Sequence, residues 1–369
     1  MDAIWDNYPE NNLKSITHQR RGIGPRTRIG DGQTRIPKHD WSSGFLKNIE
    51  NKKELFPFLS KQIIKSDMKG ALLLSTNLEN VISNRTYDVS ALQPCNHAEA
   101  DTRILLHLAH AAQHGHRKAV VRTVDSDVVV LCVHFFLTLN LTELWVCLGS
   151  GKKVRDIPIH EICAQIGPSK SLALPLFHAI TGCDTVSHFL GCGKKTAWAA
   201  WESTPGLTDT LVSLSNDPSL FDIESDHMQK LERFVVLMYC RTCGLDRVNE
   251  ARHRLFTSGK KTLDNIPPTQ AALFEHIKRA LLQACFLWCQ ATSVHQEIPD
   301  FSKWGWHKKS NGIWLPHWTT LEDSSKACSI LLRCGCSKSC KGNCKCSRAG
   351  VRCTQLCKCE GGCINNEDH

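Results

Sequence analysis

Apolar and polar positions follow two rhythms along this chain. Short β-branched runs, Ala119-Val-Val-Arg-Thr-Val before Asp125 and Leu144-Trp-Val-Cys-Leu before Gly149, have the length and boundaries of strands. Around them apolar residues recur every three or four positions. Leu46 to Ser66 and Ala98 to Gly115 read as helices, the second with Ile104, Leu105, Leu108 and Ala111 in its stripe and Gly115 as its stop. Ala3-Ile-Trp-Asp6 reads as the end of a further buried strand. Strands alternating with helices are the pattern of a parallel sheet covered by helices, so the expected class is α/β. From Leu207 the strand signal fades: Met228 to Cys240 and Thr269 to Cys289 read as helices, and Phe301 to Trp318 as a Trp- and Pro-rich connector.

The 369 residues, 41% of them hydrophobic, suffice for a substantial core and suggest two or three domains. No run approaches the roughly 20 apolar residues of a membrane helix, and Met1 is followed by acidic and polar residues, so the expectation is a soluble, intracellular protein with no membrane partner. The net charge of +9 is unevenly spread: seven Lys or Arg against Asp31 between Lys14 and Lys38, and six against Glu360 between Cys334 and Cys363. Two basic patches point to a polyanion partner, although solvated loops account for charge alone equally well. Gly22, Gly24 and Pro25 break any helix in the first patch, which reads as a loop or lid. The chain has no nucleophile elbow, no Walker A loop and no H-E-x-x-H, which sets aside serine hydrolase, nucleotide-driven and zinc-hydrolase chemistry.

Half of the 20 cysteines lie between Cys328 and Cys363. Nine of them, Cys334, Cys336, Cys340, Cys344, Cys346, Cys353, Cys357, Cys359 and Cys363, fall within about 30 residues interleaved with Gly and Lys. C-x-C pairs bridge poorly as disulfides, and so short a segment without an apolar core needs metal to fold, which points to Zn2+. Three ions need about twelve thiolate positions, which nine cysteines supply if three of them bridge. The remaining cysteines, such as Cys132, Cys147 and Cys285, sit singly in apolar surroundings as small buried hydrophobes.

Acids recur where strands end or helices begin. Asp6, Asp125, Asp127 and Asp184 end apolar stretches, and Glu99 and Asp101 open a helix. Each alone suits a helix cap or first turn. Together at the carboxyl ends of strands they can meet around one cleft, which Mg2+ or Mn2+ would neutralise.

These segments resemble the flap-endonuclease/XPG branch of the PIN-like nucleases. Glu99-Ala-Asp101 is similar to that family's E-A-E/D helix, Asp125-Ser-Asp127 to its D-x-D, and Thr181-Gly-Cys-Asp184 to its G-C-D. Ala3-Ile-Trp-Asp6, with Lys14, Arg20 and Arg21 beyond it, resembles the metal-binding strand that leads into the family's basic arch. Gly191-Cys-Gly193-Lys194-Lys195-Thr-Ala197 resembles its phosphate-facing helix-two-turn-helix. The resemblance implies a metal-dependent nuclease in which Asp6, Glu99, Asp101, Asp125, Asp127 and Asp184 hold two ions and Lys14, Arg20, Arg21, Gly191, Gly193, Lys194 and Lys195 meet branched or single-stranded DNA. The family's first metal-binding Asp lies on a strand before the one ending at Asp6, and this sequence begins at Met1, so the expected domain is shortened or its ligand set incomplete. The cysteine tail resembles the tesmin-type CXC domain, including Arg348-Ala-Gly350 and Cys363-Ile-Asn365. That likeness implies phosphate contacts by Lys338, Lys341, Lys345 and Arg348, while Asn343 stands where the family's groove-reading aromatic does.

The expected organisation is a PIN-like domain over 1–206, a helical extension and connector over 207–323, and a zinc tail over 324–369. The expected function is nuclear DNA binding with structure-specific cleavage. The alternative is an inactive DNA-binding or regulatory protein, descended from a mobile element.

Overall fold

Two small sheets, rather than one, organise the first half of the chain. In the first, β1 (Asp2–Ala3) runs parallel to β2 (Leu74–Asn77), which turns back antiparallel on β3 (Asn80–Ser83). In the second, β4 (Lys118–Thr123) runs parallel to β5 (Glu143–Leu148), and β6 (Arg155–Pro158) returns antiparallel. The class is α/β, but each sheet is mixed, which corrects the expected all-parallel sheet. The strands missing from the sequence pattern are β2, β3 and β6, each of four residues and rich in polar side chains. Their pairing partners make them strands, and short windows carry no trace of a partner. This computed structural model describes residues 1–9, 13, 24–30, 32–37, 39–66, 68, 70–257, 265–310, 312–319, 333–336, 344–348, 352–360, 362–363 and 365.

Helix α1 (Ile49–Lys65) covers the first sheet. Asn48 caps it by accepting the Glu50 N–H at 3.0 Å, Ser60 Oγ donates to Thr76 O at 2.7 Å, and Trp5 stacks on Phe56 at 5.0 Å. Within the basic segment, Arg26 pairs with Glu54 of this helix and donates to Asn51 Oδ1 at 3.0 Å, so that cation is engaged inside the fold.

Helix α2 (Ala100–Gln113) links the two sheets. Leu106 joins Leu74, Val81 and Leu92 in one apolar cluster, whereas Leu105, Leu108 and Ala112 join Val121 in the main core. Buried Arg103 turns to the β2–β3 hairpin and donates to the carbonyls of Leu78 and Asn80. Gly115, at φ +88°, ends the segment in a conformation that suits glycine, as expected from its place in the sequence.

The rest is helical: α3 (Ser126–Phe135), α4 (Ile159–Ile166), α5 (Pro168–Ile180), α6 (Lys194–Glu202), α7 (Leu207–Asn216), α8 (Asp226–Tyr239), α9 (Val248–Thr257) and α10 (Gln270–Leu281). Ser225 caps α8 and Thr269 caps α10, each through its hydroxyl. The last helix continues into a π-helical turn, Leu282–Trp288. A hairpin of β7 (Trp306–Lys308) and β8 (Trp314–Pro316) follows, held by Arg279, which donates to Gly305 O at 3.1 Å.

A single core runs from Leu105 to Ala291, so the helices beyond residue 207 bury their apolar faces against α5 and α6. The expected boundary at 206 therefore falls inside a continuous core. The chain divides instead into Met1–His317 and Trp318–His369. Truncating a fully buried core residue such as Leu176 to Ala costs about 2–5 kcal/mol.

Candidate metal centres

Three elements deliver acids to one place. Glu99 is the N-cap of α2 and Asp101 stands in its first turn. Asp125 is the N-cap of α3, its Oδ1 accepting the Asp127 N–H at 2.9 Å, and Asp127 stands in that helix's first turn. Asp184 follows α5. The turn that carries it needs glycine, because Gly182 has φ +110° and a Cβ there would meet His188 Cβ at 2.8 Å. These acids line a narrow cleft, with a free volume of about 10 Å3, together with Cys183, Thr185, Gln283 and Trp288.

Glu99, Asp101, Asp125 and Asp127 thus take the bland role and the convergent one together, since the two helix N-termini that they suit both open on the cleft. Partial positive charge at those termini offsets part of the repulsion. No lysine or arginine lines the cleft among the described residues. Burial pushes the Cys183 thiol up to about 11, so the donors on offer at neutral pH are mainly oxygens.

Asp6 is placed differently. Its Oδ1 accepts the Ala100 N–H at 2.8 Å and its Oδ2 accepts the Tyr8 hydroxyl at 3.3 Å, so it caps α2 beside Glu99 and does not line the cleft. Burial, with Asp6 adding to it, pushes the Tyr8 phenol far above its ordinary range.

The predicted phosphate-facing turn is a separate, open depression of about 450 Å3, lined by Gly191, Gly193 and Lys194 among others. The Lys194 ammonium donates to His178 O at 2.9 Å, Thr181 Oγ1 at 3.0 Å and Gly182 O at 2.8 Å. An ammonium has three protons, and all of them are engaged in closing the C-terminal end of α5. Although much of the Lys194 stem is open to solvent, desolvation of its charged end pushes the pKa down to about 8. Lys194, expected to meet phosphate, is thus held on these three oxygens in this structure, and Lys195 beside it is exposed. Lys14, Arg20 and Arg21 lie outside the described residues.

Five further side chains at or beside the cleft escape the sequence pattern. His178 Nε2 lies 2.9 Å from Asp127 Oδ1. Thr185 Oγ1 donates to Gln283 Oε1 at 2.7 Å, which ties the Asp184 loop to the π-helical turn. His276 of α10 reinforces that tie through Ile180 O at 2.8 Å. Trp288, 1% exposed, lines the cleft while its indole N–H has no acceptor among the described residues. No local periodicity announces a π-helical turn, yet such turns recur at functional sites.

The fit of this cleft to a divalent cation is loose. Among the described residues, the groups of three or more ligating side chains whose donor atoms all fall within 4.8 Å of one another are cysteines, so no three acids close on one point. Mg2+ is ordinarily held by one or two carboxylates and keeps several waters, which suits acids set this far apart. The Trp288 N–H, without an acceptor among the described residues, would suit a water held by such an ion.

The second unit contains the tighter centre. Cys334, Cys353, Cys357 and Cys359 form one tetrad, Cys334, Cys336, Cys344 and Cys353 a second, and Cys336, Cys353, Cys359 and Cys363 a third. Sulfur separations are 3.7 Å for Cys334 and Cys353, 4.0 Å for Cys344 and Cys353, and 3.6 Å for Cys346 and Cys357. A tetrahedral ion with Zn–S bonds of about 2.3 Å sets its ligands about 3.8 Å apart. Cys334 and Cys336 stand closer, at 2.9 Å. The cluster can hold a metal such as zinc, and the tetrads overlap as bridging thiolates require. Burial and neighbouring sulfurs push the Cys346 thiol up to about 12, while the Cys334 amide holds Cys357 down to about 6. All cysteines in the described residues are free of disulfides. Lys345 and Arg348, on the short helix α11 (Lys345–Arg348), are exposed. Cys328, Lys338, Cys340, Lys341 and Asn343 lie outside the described residues.

Comparison with protein-family models, with curated proteins and with solved structures returned no match. No described helix is long and apolar enough to cross a membrane.

Proposed function

We propose that this chain is a DNA-binding protein of PIN-like, flap-endonuclease ancestry, with a body that cleaves branched or single-stranded DNA and a zinc tail that gives a second DNA contact. One observation carries the reading: Glu99, Asp101, Asp125, Asp127 and Asp184, from distant parts of the chain, line one cleft. Bound Mg2+ or Mn2+ would neutralise these acids and polarise the phosphodiester for hydrolysis. Asp125 and Asp127 face the reacting phosphate side, His178 orients Asp127, and Thr185 with Gln283 steadies the loop of Asp184. In the tail, the overlapping tetrads favour three zinc ions sharing nine thiolates, with Lys345 and Arg348 turned to phosphate. A DNA partner makes the nucleus the working compartment.

The test is cleavage of flap or hairpin DNA in Mg2+ or Mn2+ by the full chain and by the Asp125→Ala, Asp127→Ala double variant. Cleavage is expected in the first and lost in the second; equal activity in both ends the catalytic reading. A binding protein without catalysis is favoured by the engagement of Asp6 as a helix cap and by the absence of a closed acid trio among the described residues. That reading expects salt-dependent retention on DNA, lost on removing residues 324–369, with no cleavage.

A further inference from the structure

Helix α2 carries three histidines on one face: His107, His110 and, as its C-cap, His114, spaced three and four residues apart. His107 is committed elsewhere, since its Nδ1 lies 2.7 Å from Asp2 Oδ2 and two turns of helix, about 10 Å, separate it from His114. The other two meet. Their ring centroids stand 4.2 Å apart, and the Tyr87 ring lies 5.8 Å from each. His114 Nδ1 lies 2.9 Å from His110 O. A carbonyl oxygen only accepts, so the neutral ring carries its proton on Nδ1 and keeps the Nε2 lone pair free, the tautomer that a metal-ligating imidazole needs. No hydrogen bond engages the His110 ring among the described residues, and burial, with His114 and His107 adding to it, pushes that imidazole down, so it is neutral at pH 7 and offers a lone pair. The Ser90 N–H and hydroxyl hold the Asp88 carboxyl below its usual range, and His110 and His114 act in the same direction, which places this exposed acid beside the pair.

We propose that His110 and His114 bind one divalent transition-metal ion of the nickel, copper and zinc group through their imidazole nitrogens, beside the Asp88 carboxylate. The site uses none of the residues of the carboxylate cleft or of the cysteine tail, and it stands apart from the nucleic-acid reading. Imidazole suits these ions, whereas Mg2+ prefers oxygen. The place on the helix favours a cation as well. The C-terminal end of α2 carries partial negative charge, and Asp88 adds a full one. Among the described residues the trios that close within 4.8 Å are cysteines, so two imidazoles hold this ion and water fills its remaining positions. Chelation by residues four apart also staples the last turn of α2 to itself.

The test is equilibrium dialysis of the full chain, its cysteines first filled with zinc, against Ni2+ in excess Mg2+, so that oxygen sites are already occupied. The wild type should take up about one Ni2+ per chain beyond its zinc, as one pair of imidazoles supplies one chelate. His114→Ala, at an exposed position, should weaken that uptake by more than the roughly 10–100-fold that loss of a mere orienting partner costs. A second measurement alters no residue. In the wild type, Ni2+ should protect His114 from modification by diethyl pyrocarbonate, read by mass spectrometry, and leave the exposed His116 as reactive as before. Uptake that His114→Ala leaves unchanged, or modification of His114 that Ni2+ does not slow, overturns the site. Neither readout depends on whether the chain binds or cleaves DNA.

Discussion

His178 Nε2 and Asp127 Oδ1 meet at 2.9 Å across 51 residues of sequence, the histidine on α5 and the acid in the first turn of α3. This contact engages one carboxylate oxygen of an acid that lines the cleft. His178→Ala should lower apparent Mn2+ affinity about 10–100-fold, as loss of an orienting partner typically does. Cleavage against Mn2+ concentration reads the shift, with circular dichroism as a control on folding. An unchanged Mn2+ dependence would show that Asp127 needs no such support.

The three cysteine tetrads predict unequal losses of metal. Cys353 belongs to all three and Cys363 to one. Elemental analysis of the purified full chain should find about three zinc ions, in line with four thiolate positions per ion. Cys353→Ser should remove more zinc than Cys363→Ser; equal losses would mean that the thiolates are not shared in this way.

A cationic loop gives a quantitative salt test. The turn Gly151–Lys153 follows β5 at the end where Leu148 pairs with Thr123, the sheet end from which the chain leaves toward Asp125. Lys152, Lys153 and Arg155 are exposed there. If the first two meet phosphates, Lys152→Ala with Lys153→Ala should flatten the slope of log affinity against log salt by roughly 1.5. A slope that stays put would assign phosphate contact elsewhere.

Two buried histidines predict acid sensitivity. His276 is buried beside Ile180 O and His97 beside Ser293 O, and burial pushes both down to about 4. The unfolded chain, with histidines near 6.5, binds protons first as pH falls. Stability is therefore full above about 6.5 and declines toward 4, by up to about 1.4 kcal/mol per pH unit for each histidine. Urea unfolding from pH 7 to 4 checks this, and His276→Gln, whose amide can still donate to Ile180 O, should make the decline shallower.

Glu232, 1% exposed, accepts from Arg247 Nη1 at 2.8 Å and from the Val248 N–H at 3.2 Å, joining α8 to the start of α9. Glu232→Ala leaves those donors unpaired and should cost about 1–3 kcal/mol. A loss below a few tenths in chemical denaturation would show that water replaces the carboxylate there.

What the sequence determined by itself is local. The helix over Ala98 to Gly115, the strands ending near Asp125 and Gly149, and the ligand spacing of the tail are legible because a helical turn, a short strand and a chelating loop each span only a few residues. Tertiary structure decided what depends on residues far apart in the chain. It paired β2 with β1 across about 70 residues, made β6 antiparallel, turned Lys194 inward on carbonyls and Asp6 onto a helix N-terminus. It also brought His178, Gln283 and Trp288 to the acids. Those outcomes follow from burial and from the need of each buried polar group for a partner, and neither can be evaluated until the chain has closed on itself.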